Sequence, residues 1–437
     1  MSASLETSID TKQSNDFSRH LINYGFNFVP NLIESARGSV LTDVDGNEIL
    51  DFTSGQMCAI LGHNHPDIVE AIEKACREVL HLYSGMVSVP VMKLAEDLAA
   101  MLPPSLQRMM FLNTGAESNE AAIRMAKLHT GRYEVLALSG SWHGMTAAAA
   151  SLTYSAGHRG YGPAMPGTMA LPTPNSYRCP VKHCCGKCDT TCLDVGFAMA
   201  DAQSVGSQAA VIAEPVLSSA GVIIPPENYF KRLREECDKR GMMLILDEAQ
   251  TSLGRLGTDF AFAHFGAEPD FVTLSKTLGG GVPMAATITS DEIADDCASK
   301  GYLHVTSHVS DPLPAEVGRA ILKVLKRDNI NDRVKEMGAY LEKGLKELQS
   351  RHEAIGDVRG MGLLWGVELV KDRETREPDA EYGAAVTRRC MELGLNMNIV
   401  SVGGMAAVWR VAPPLTVSTA EIDRGLEILD QAMAEMR

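Results

Sequence analysis

The sequence lacks the features that mark membrane and secreted proteins. No run of about 18 uninterrupted apolar residues is present, so we expect no transmembrane helix. The first 20 residues are polar and acidic, without the apolar segment of a signal peptide. The ten cysteines follow no small secreted disulfide framework. We therefore expect a cytoplasmic protein with no membrane partner.

Positive charge is also scarce. The chain has 40 Lys and Arg against 55 Asp and Glu, a formal net charge of −15. Nucleic acid and anionic membranes need clustered basic residues, so neither is expected as a main partner. A local basic pocket for an anionic cofactor is still compatible with this balance.

The 437 residues are enough for two or three domains. Short apolar runs alternate with helical stretches from about 109 to 290, which predicts an α/β fold with a mostly parallel sheet. One long amphipathic helix is expected from Leu313 to about Glu353. The predicted units are 1–75 (an N-terminal arm and a segment of the small domain), 76–320 (the large domain) and 321–437 (the rest of the small domain, α+β).

Four motifs lie at predicted strand ends, where α/β enzymes bind ligands. The first, Asn113-Thr114-Gly115-Ala116-Glu117, opens a helix and offers backbone amides to an anion, although a plain turn has the same pattern. The second is Ser141-Trp142-His143-Gly144. Its tryptophan, one of three, either stacks on a planar ring or fills the edge of the core.

The other two motifs carry charge. Asp247 and Glu248 directly follow a buried strand, where an ionised group needs a partner such as a protonated pyridine nitrogen. A surface acidic pair is the alternative; a Walker B motif is excluded because the chain has no GxxxxGK[ST]. Lys276 ends an apolar strand before Gly279-Gly280-Gly281. A desolvated lysine has a lowered pKa and can form an imine.

The order of these motifs resembles that of the fold-type-I pyridoxal-phosphate (PLP) enzymes. The stretch LILDEAQTSLGRLGTDFAFAHFGAEPDFVTLSKTLGGGVPMAA (244–286) resembles the class-III aminotransferase signature. This resemblance implies a large PLP-binding domain, with a smaller α+β domain made from both ends of the chain.

Within that class, the chain resembles the 2,2-dialkylglycine decarboxylases from about residue 18 onward, apart from an insertion near 175–200. The similar segments are FTSGQM (52–57), YSGM (83–86), TGAESNEAAIRMAKL (114–128), SWHGMT (141–146), TYSAG (153–157), AEPVLSS (213–219), SHVSDPLPA (307–315), MNIV (397–400) and RVAPPLTVS (410–418). The resemblance implies decarboxylation of a 2,2-dialkylglycine, such as 2-aminoisobutyrate, to a ketone and CO2. The amino group would then pass to pyruvate, giving alanine.

The same resemblance implies roles for single residues. The implied catalytic residues are Lys276 as the Schiff-base lysine, Gln56, Trp142, Asp247 and Arg410. The implied cofactor contacts are Thr114, Gly115 and Ala116 at the phosphate with Ser307 of the neighbouring subunit, Trp142 on the ring, Asp247 at the pyridine nitrogen and Gln250 at the ring hydroxyl. Gln56 would hold the departing carboxylate perpendicular to the ring, and Arg410 a carboxylate near the ring plane. Met57 and Ser219 would line the remaining substrate space.

The resemblance also implies a homodimer, or a tetramer of paired dimers, and an alkali-metal ion near the active site. The matching ligands are Leu82, Ser84, Ser307, Val309 and Asp311, which offer oxygen atoms suited to a hard cation such as potassium or sodium. Ser307 stands where the family has Thr, and Ser252 where the signature has Gly.

A cysteine block has no counterpart in the resemblance. It comprises Cys179, Cys184, Cys185, Cys188 and Cys192, with His183 among them. The C-x2-C and C-x3-C spacings within it suit a zinc site, but they do not match one standard finger. The alternative is a loop with free thiols.

Two other functions compete with decarboxylation. One is a class-III aminotransferase acting on amines or ω-amino acids, which leaves Gln56 unexplained. The other is a non-catalytic interaction protein derived from the enzyme fold, which the presence of both Lys276 and Asp247 disfavours.

Overall fold

The computed structural model of the chain describes residues 20–22, 24–25, 28–155, 161–181, 188–401 and 407–436. These residues form three β-sheets with helices packed around them. None of the helices in the described ranges is long and apolar enough to cross a membrane.

The largest sheet has seven strands. Across the sheet they are β4 (Arg108–Leu112), β10 (Ala285–Thr289), β9 (Phe271–Leu274), β8 (Met243–Asp247), β7 (Gln208–Ala213), β5 (Glu134–Leu138) and β6 (Thr168–Leu171). β10 is antiparallel to both neighbours, and the other pairings are parallel. Strands β5, β7, β9 and β10 are buried along their whole length, as expected for a sheet covered on both faces. The predicted α/β fold is confirmed.

Helices cover this sheet and lead from it. They are α2 (Pro66–Glu78), α3 (Val89–Ala99), α4 (Gly115–Thr130), α5 (Ala147–Ser151), α6 (Thr191–Gln203), α7 (Tyr229–Arg240), α8 (Ala261–Phe265), α9 (Asp291–Ser299) and α10 (Pro312–Arg327). The prediction of a single helix from Leu313 to about Glu353 is wrong. α10 ends at Arg327 and α11 (Ile330–Arg351) begins after Asn329, whose φ of 49° is left-handed and interrupts the helix.

Two four-stranded sheets complete the fold. One has the order β1 (Ile33–Arg37), β2 (Val40–Asp43), β3 (Glu48–Asp51), β13 (Leu395–Asn396), and the other β11 (Ile355–Met361), β12 (Leu364–Leu369), β15 (Ala407–Val411), β14 (Asn398–Ser401). They are accompanied by α12 (Ala380–Glu392), α13 (Thr419–Glu435) and the one-turn segment α1 (Ser54–Met57). The parallel pairing of β3 with β13 joins the two ends of the chain.

Candidate active site

Several predicted site residues meet in one cavity of about 350 Å³, beyond the carboxyl ends of β8 and β9. Its lining includes Cys58, Asn113, Thr114, Gly115, Ala116, Asn119, Trp142, His143, Gly144, Glu214, Asp247, Gln250, Ser275 and Lys276. All four sequence motifs therefore contribute to a single site.

The amino end of α4 forms one wall. Thr114 caps this helix in a reciprocal arrangement with Glu117, and Gly115 and Ala116, the first two residues of the helix, line the cavity. Side chains would obstruct this wall, since a Cβ on Gly144 would lie 2.5 Å from the Ala116 Cβ, and one on Gly115 2.8 Å from the Ser275 Oγ. Gly115 and Gly144 therefore leave space at the amino end of α4, where the helix dipole favours an anion. We call this space the cradle.

Asp247 lies at the end of β8 and is 4% exposed. Its Oδ2 accepts hydrogen bonds from Asn119 Nδ2 at 2.8 Å and His143 Nδ1 at 2.9 Å, and its Oδ1 accepts from the Ala249 amide at 3.1 Å. The Nε2 of His143 is buried with no hydrogen-bond partner among the described residues. Sequence reasoning gave no role to Asn119 or His143, which fix the Asp247 carboxylate.

Lys276 begins a 3₁₀ turn directly after β9 and Ser275. Burial lowers the pKa of its amine, and the nearby Asp247 carboxylate acts in the opposite direction. A lowered amine pKa favours the neutral, nucleophilic form that the sequence predicted.

Glu214 is a site residue that the sequence reasoning missed. It follows β7, is 4% exposed, and accepts a hydrogen bond from the Trp142 amide at 2.8 Å. Burial raises the pKa of its carboxyl to about 7. The available signal was its position, since Glu214 follows a buried strand just as Asp247 does.

Arg410 and Gln56 contact each other outside the cavity lining: Gln56 lines a second cavity, and Arg410 reaches the first through Gln250. Arg410 Nη2 donates to Gln56 Oε1 at 3.2 Å, while Nη1 lies 3.4 Å from Gln250 Oε1 and 3.5 Å from Ser218 Oγ, at the long limit for hydrogen bonds. Arg410 is 8% exposed, and burial lowers its pKa to about 10, against the attraction of Glu214. Gln56 itself is exposed.

Two residues predicted to line the substrate space are placed differently. Met57 has no exposed surface, because the turn at 54–57 directs its side chain into the hydrophobic core; that prediction was wrong, and Cys58 is the neighbour that lines the cavity. Ser219 is half-buried, and its neighbour Ser218 makes the contact with Arg410.

The predicted alkali-ion residues lie on a different surface. Asp311 accepts hydrogen bonds from His81 Nδ1 at 2.7 Å and His308 Nδ1 at 2.6 Å. The Ser84 hydroxyl donates to the Thr306 carbonyl at 3.2 Å. Leu82 and Val309 are half-buried, and Ser307 is exposed and not part of the cavity lining in its own chain.

The cysteine block is described only in part. Cys179 and Cys188 are half-buried, and Cys192 is buried at the start of α6. Cys184 and Cys185 lie outside the described residues.

These donors fit a phosphorylated pyridine ring. The cradle at Gly115 and Gly144 suits a phosphate, Asp247 a protonated ring nitrogen, Trp142 the ring face and Lys276 a covalent link.

Comparisons with known proteins agree with this geometry. The family model for class-III aminotransferases matches residues 24–433. An uncharacterized aminotransferase of Schizosaccharomyces pombe is 48% identical over 96% of this chain and 94% of its own length. A leucine/methionine racemase of Thermococcus litoralis is 33% identical over 94% and 92%.

A solved structure of a Bacillus anthracis aminotransferase superposes with a TM-score of 0.91 at 27% identity, covering 98% of this chain and 100% of that one. The family model, the relatives and the fold give the same result. This chain belongs to the class-III aminotransferase family of PLP-dependent enzymes.

Proposed function

We propose that this protein transfers an amino group to a 2-oxo acid, with Lys276 as the lysine that holds PLP. When bound, PLP takes up a substrate amino group and withdraws electrons from the bonds at the substrate α-carbon. The observation that carries the proposal is the position of Lys276, whose lowered amine pKa and proximity to Asp247 suit covalent attachment beside a ring nitrogen.

Three residues of the chain have separate roles in this reaction. Asp247, fixed by Asn119 and His143, keeps a proton on the ring nitrogen. Lys276 Nζ moves the proton at the substrate α-carbon. Arg410 supplies the buried cation that a 2-oxo acid carboxylate needs.

We further propose that the amino donor is a 2,2-dialkylglycine and loses its carboxylate as CO2. With 2-aminoisobutyrate and pyruvate, the products would be acetone, CO2 and alanine. The support is Gln56, a neutral amide 3.2 Å from the permanent charge of Arg410. An amide can orient a carboxylate without stabilising its charge enough to keep it bound, whereas an arginine would oppose its departure.

The second candidate is transamination of amines or ω-amino acids without decarboxylation. It is favoured by the comparisons, since the Schizosaccharomyces pombe relative and the Bacillus anthracis structure described above are both named as aminotransferases. Incubation with 2-aminoisobutyrate and pyruvate separates the two candidates. Release of CO2 and acetone with each alanine formed supports the first, and alanine formed only from an amine or ω-amino acid donor supports the second.

An alkali ion at Leu82, Ser84, Ser307, Val309 and Asp311 is part of the proposal. The contact between the Ser84 hydroxyl and the Thr306 carbonyl brings the two segments together, and Asp311 offers a carboxylate beside them. The test is the activity of both proteins with and without potassium. Activity that rises with potassium in the parent protein but does not respond to it in Asp311→Asn would support the ion site.

We also propose that the protein is a cytoplasmic homodimer. Tyr83, Met86, Val87, Leu303 and Val305 expose large apolar side chains near the predicted ion site, as an interface would. In such a dimer, Ser307 would reach the partner's phosphate cradle. Sedimentation of the purified protein tests the oligomeric state.

A further inference from the structure

The segment α1 has an unusual backbone. Ser54, Gly55, Gln56 and Met57 all have positive φ angles, of 47°, 53°, 62° and 66°. Glycine adopts this left-handed conformation freely, but a residue with a Cβ does not, so the surrounding structure must hold the other three in place. We call these four residues the left-handed turn.

The carboxylate of Asp51 binds one end of the left-handed turn. Its Oδ1 accepts from the Thr53 amide at 2.9 Å, the Thr53 hydroxyl at 2.6 Å and Asn396 Nδ2 at 3.0 Å. Its Oδ2 accepts from the Gly55 amide at 2.9 Å and contacts His63 Nε2 at 2.9 Å. Burial alone would raise the pKa of Asp51, but these hydrogen bonds outweigh it and the pKa is lowered. The ionised carboxylate therefore suits the turn that follows it.

The turn is also tied to the strand that carries Arg410. The Ser54 hydroxyl donates to the Ala412 carbonyl at 2.5 Å, and the Ala412 amide donates to the Phe52 carbonyl at 2.8 Å. Ala412 is two residues beyond Arg410. The turn and the strand end thus form one frame, across which Gln56 Oε1 lies 3.2 Å from Arg410 Nη2.

We propose that Asp51 is a positioning residue, which holds the left-handed turn so that Gln56 faces the substrate carboxylate beside Arg410. The proposal rests on the proposed role of Gln56 in decarboxylation. Asp51 is buried and does not line the cavity, so it acts only through the turn. Its loss should therefore change the balance between the two half-reactions rather than abolish cofactor binding.

The test variant is Asp51→Asn. Its side chain has the same shape as that of Asp51, but an NH2 group replaces one carboxylate oxygen and faces the hydrogen-bond donors that this oxygen accepted from. Asp43→Asn is a matched control: Asp43 is 2% exposed, ends the neighbouring strand β2, and also holds a turn, through the Asp45 and Asn47 amides. It contacts neither the left-handed turn nor the cavity lining. Both variants lose hydrogen bonds of a buried carboxylate, but only Asp51→Asn loses those that hold the left-handed turn around Gln56.

Single-turnover rates of the two half-reactions are the measurement. We expect Asp51→Asn to slow CO2 release from 2-aminoisobutyrate about tenfold relative to alanine–pyruvate exchange, and Asp43→Asn to leave this ratio unchanged. Asp51→Asn combined with Gln56→Ala should be no slower in CO2 release than Gln56→Ala alone, because the two act through one contact. Additive losses, or an unchanged ratio in Asp51→Asn, would overturn the proposal.

Two further measurements keep the outcome clear. If Asp51→Asn does not fold, Ser54→Ala removes the bond to Ala412 and should shift the same ratio. If the parent protein releases no CO2, the proposed decarboxylation fails, and a crystal structure of Asp51→Asn still decides the positioning role. Gln56 unmoved from Arg410 in that structure would contradict it.

Discussion

Arg410 donates a hydrogen bond to the side-chain oxygen of Gln56, so that a buried cation and an exposed neutral amide lie 3.2 Å apart. The two side chains differ in how tightly they can hold a carboxylate. This difference gives a direct test of whether they bind different carboxylates.

Gln56→Ala should slow CO2 release from 2-aminoisobutyrate by roughly ten- to a hundredfold. Losing an aligned hydrogen bond to a charged group costs about 1.5–3 kcal/mol. Alanine–pyruvate exchange should lose much less, because its carboxylate binds Arg410. Arg410→Ala should show the opposite bias. Both half-reactions can be followed by single-turnover absorbance changes of the cofactor.

The matched control for this pair is Gln107→Ala. Gln107 donates only to backbone carbonyls, including those of Ala99 and Pro103, and does not line the cavity. It should leave both rates unchanged. If each variant slows both half-reactions equally, the two residues do not bind different carboxylates, and transamination without decarboxylation becomes the better-supported function.

Lys276→Ala should abolish turnover and covalent attachment of the cofactor. Borohydride reduction of the parent protein, followed by peptide mapping, should place the cofactor on Lys276. Lys127 is a suitable control, since burial lowers the pKa of its amine too, but it lies outside the cavity. Labelling of Lys127, or of any lysine other than Lys276, would disprove the assignment.

Glu214 should make pyruvate binding depend on pH. Its pKa is about 7, so it is neutral below this pH and anionic above it. The anion attracts Arg410 and competes with the substrate carboxylate. The KM for pyruvate should therefore rise between pH 6 and pH 8, by roughly fivefold if the competition is worth about 1 kcal/mol. Glu214→Gln should remove the rise.

Glu248→Gln is the control for this pH effect. Glu248 also has a pKa raised to about 7 by burial, but it accepts from the amides of Ala261 and Phe262 at the start of α8. Its loss should leave the pH profile of KM in place. The raised pKa of Glu214 also destabilises the fold as pH rises from 4.5 to 7, so Glu214→Gln should gain relative stability over that range. A flat KM profile in the parent protein would refute the competition.

If the cysteine block is a zinc site, it should hold near one zinc ion per chain. Elemental analysis of chelator-washed protein should find it, and replacing Cys185 and Cys188 by Ser should remove it. Cys76→Ser, at an exposed free cysteine on α2, should not change the metal content. Metal-free parent protein with full activity and unchanged stability would favour a loop with free thiols.

The sequence predicts those features that depend on burial and position along a short stretch of chain. Strands of the large sheet could be predicted because both faces are covered, and Asp247 and Lys276 because charge directly after such a strand needs a partner. The helix break at Asn329 was missed although the sequence carries a signal for it, since Asn adopts left-handed backbone more readily than most residues and Lys326 and Arg327 precede it. Glu214 was overlooked because its acid group follows a strand without a second charge beside it. Met57 was misplaced because the sequence pattern does not show that Ser54–Met57 form a left-handed turn, which sets the direction of the Met57 side chain.

The pairing of β3 with β13 has a consequence for how the protein is made. Apart from Cys58, the cavity lining comes from residues between 113 and 284, which emerge from the ribosome together. Gln56 and Arg410 are 354 positions apart, and Asp51 also needs Asn396. Most residues of the cavity lining are therefore synthesised well before Arg410, the second member of the pair that is proposed to bind the substrate carboxylates. A product truncated before Arg410 would lack half of the carboxylate pair while keeping the sequence of the large sheet intact.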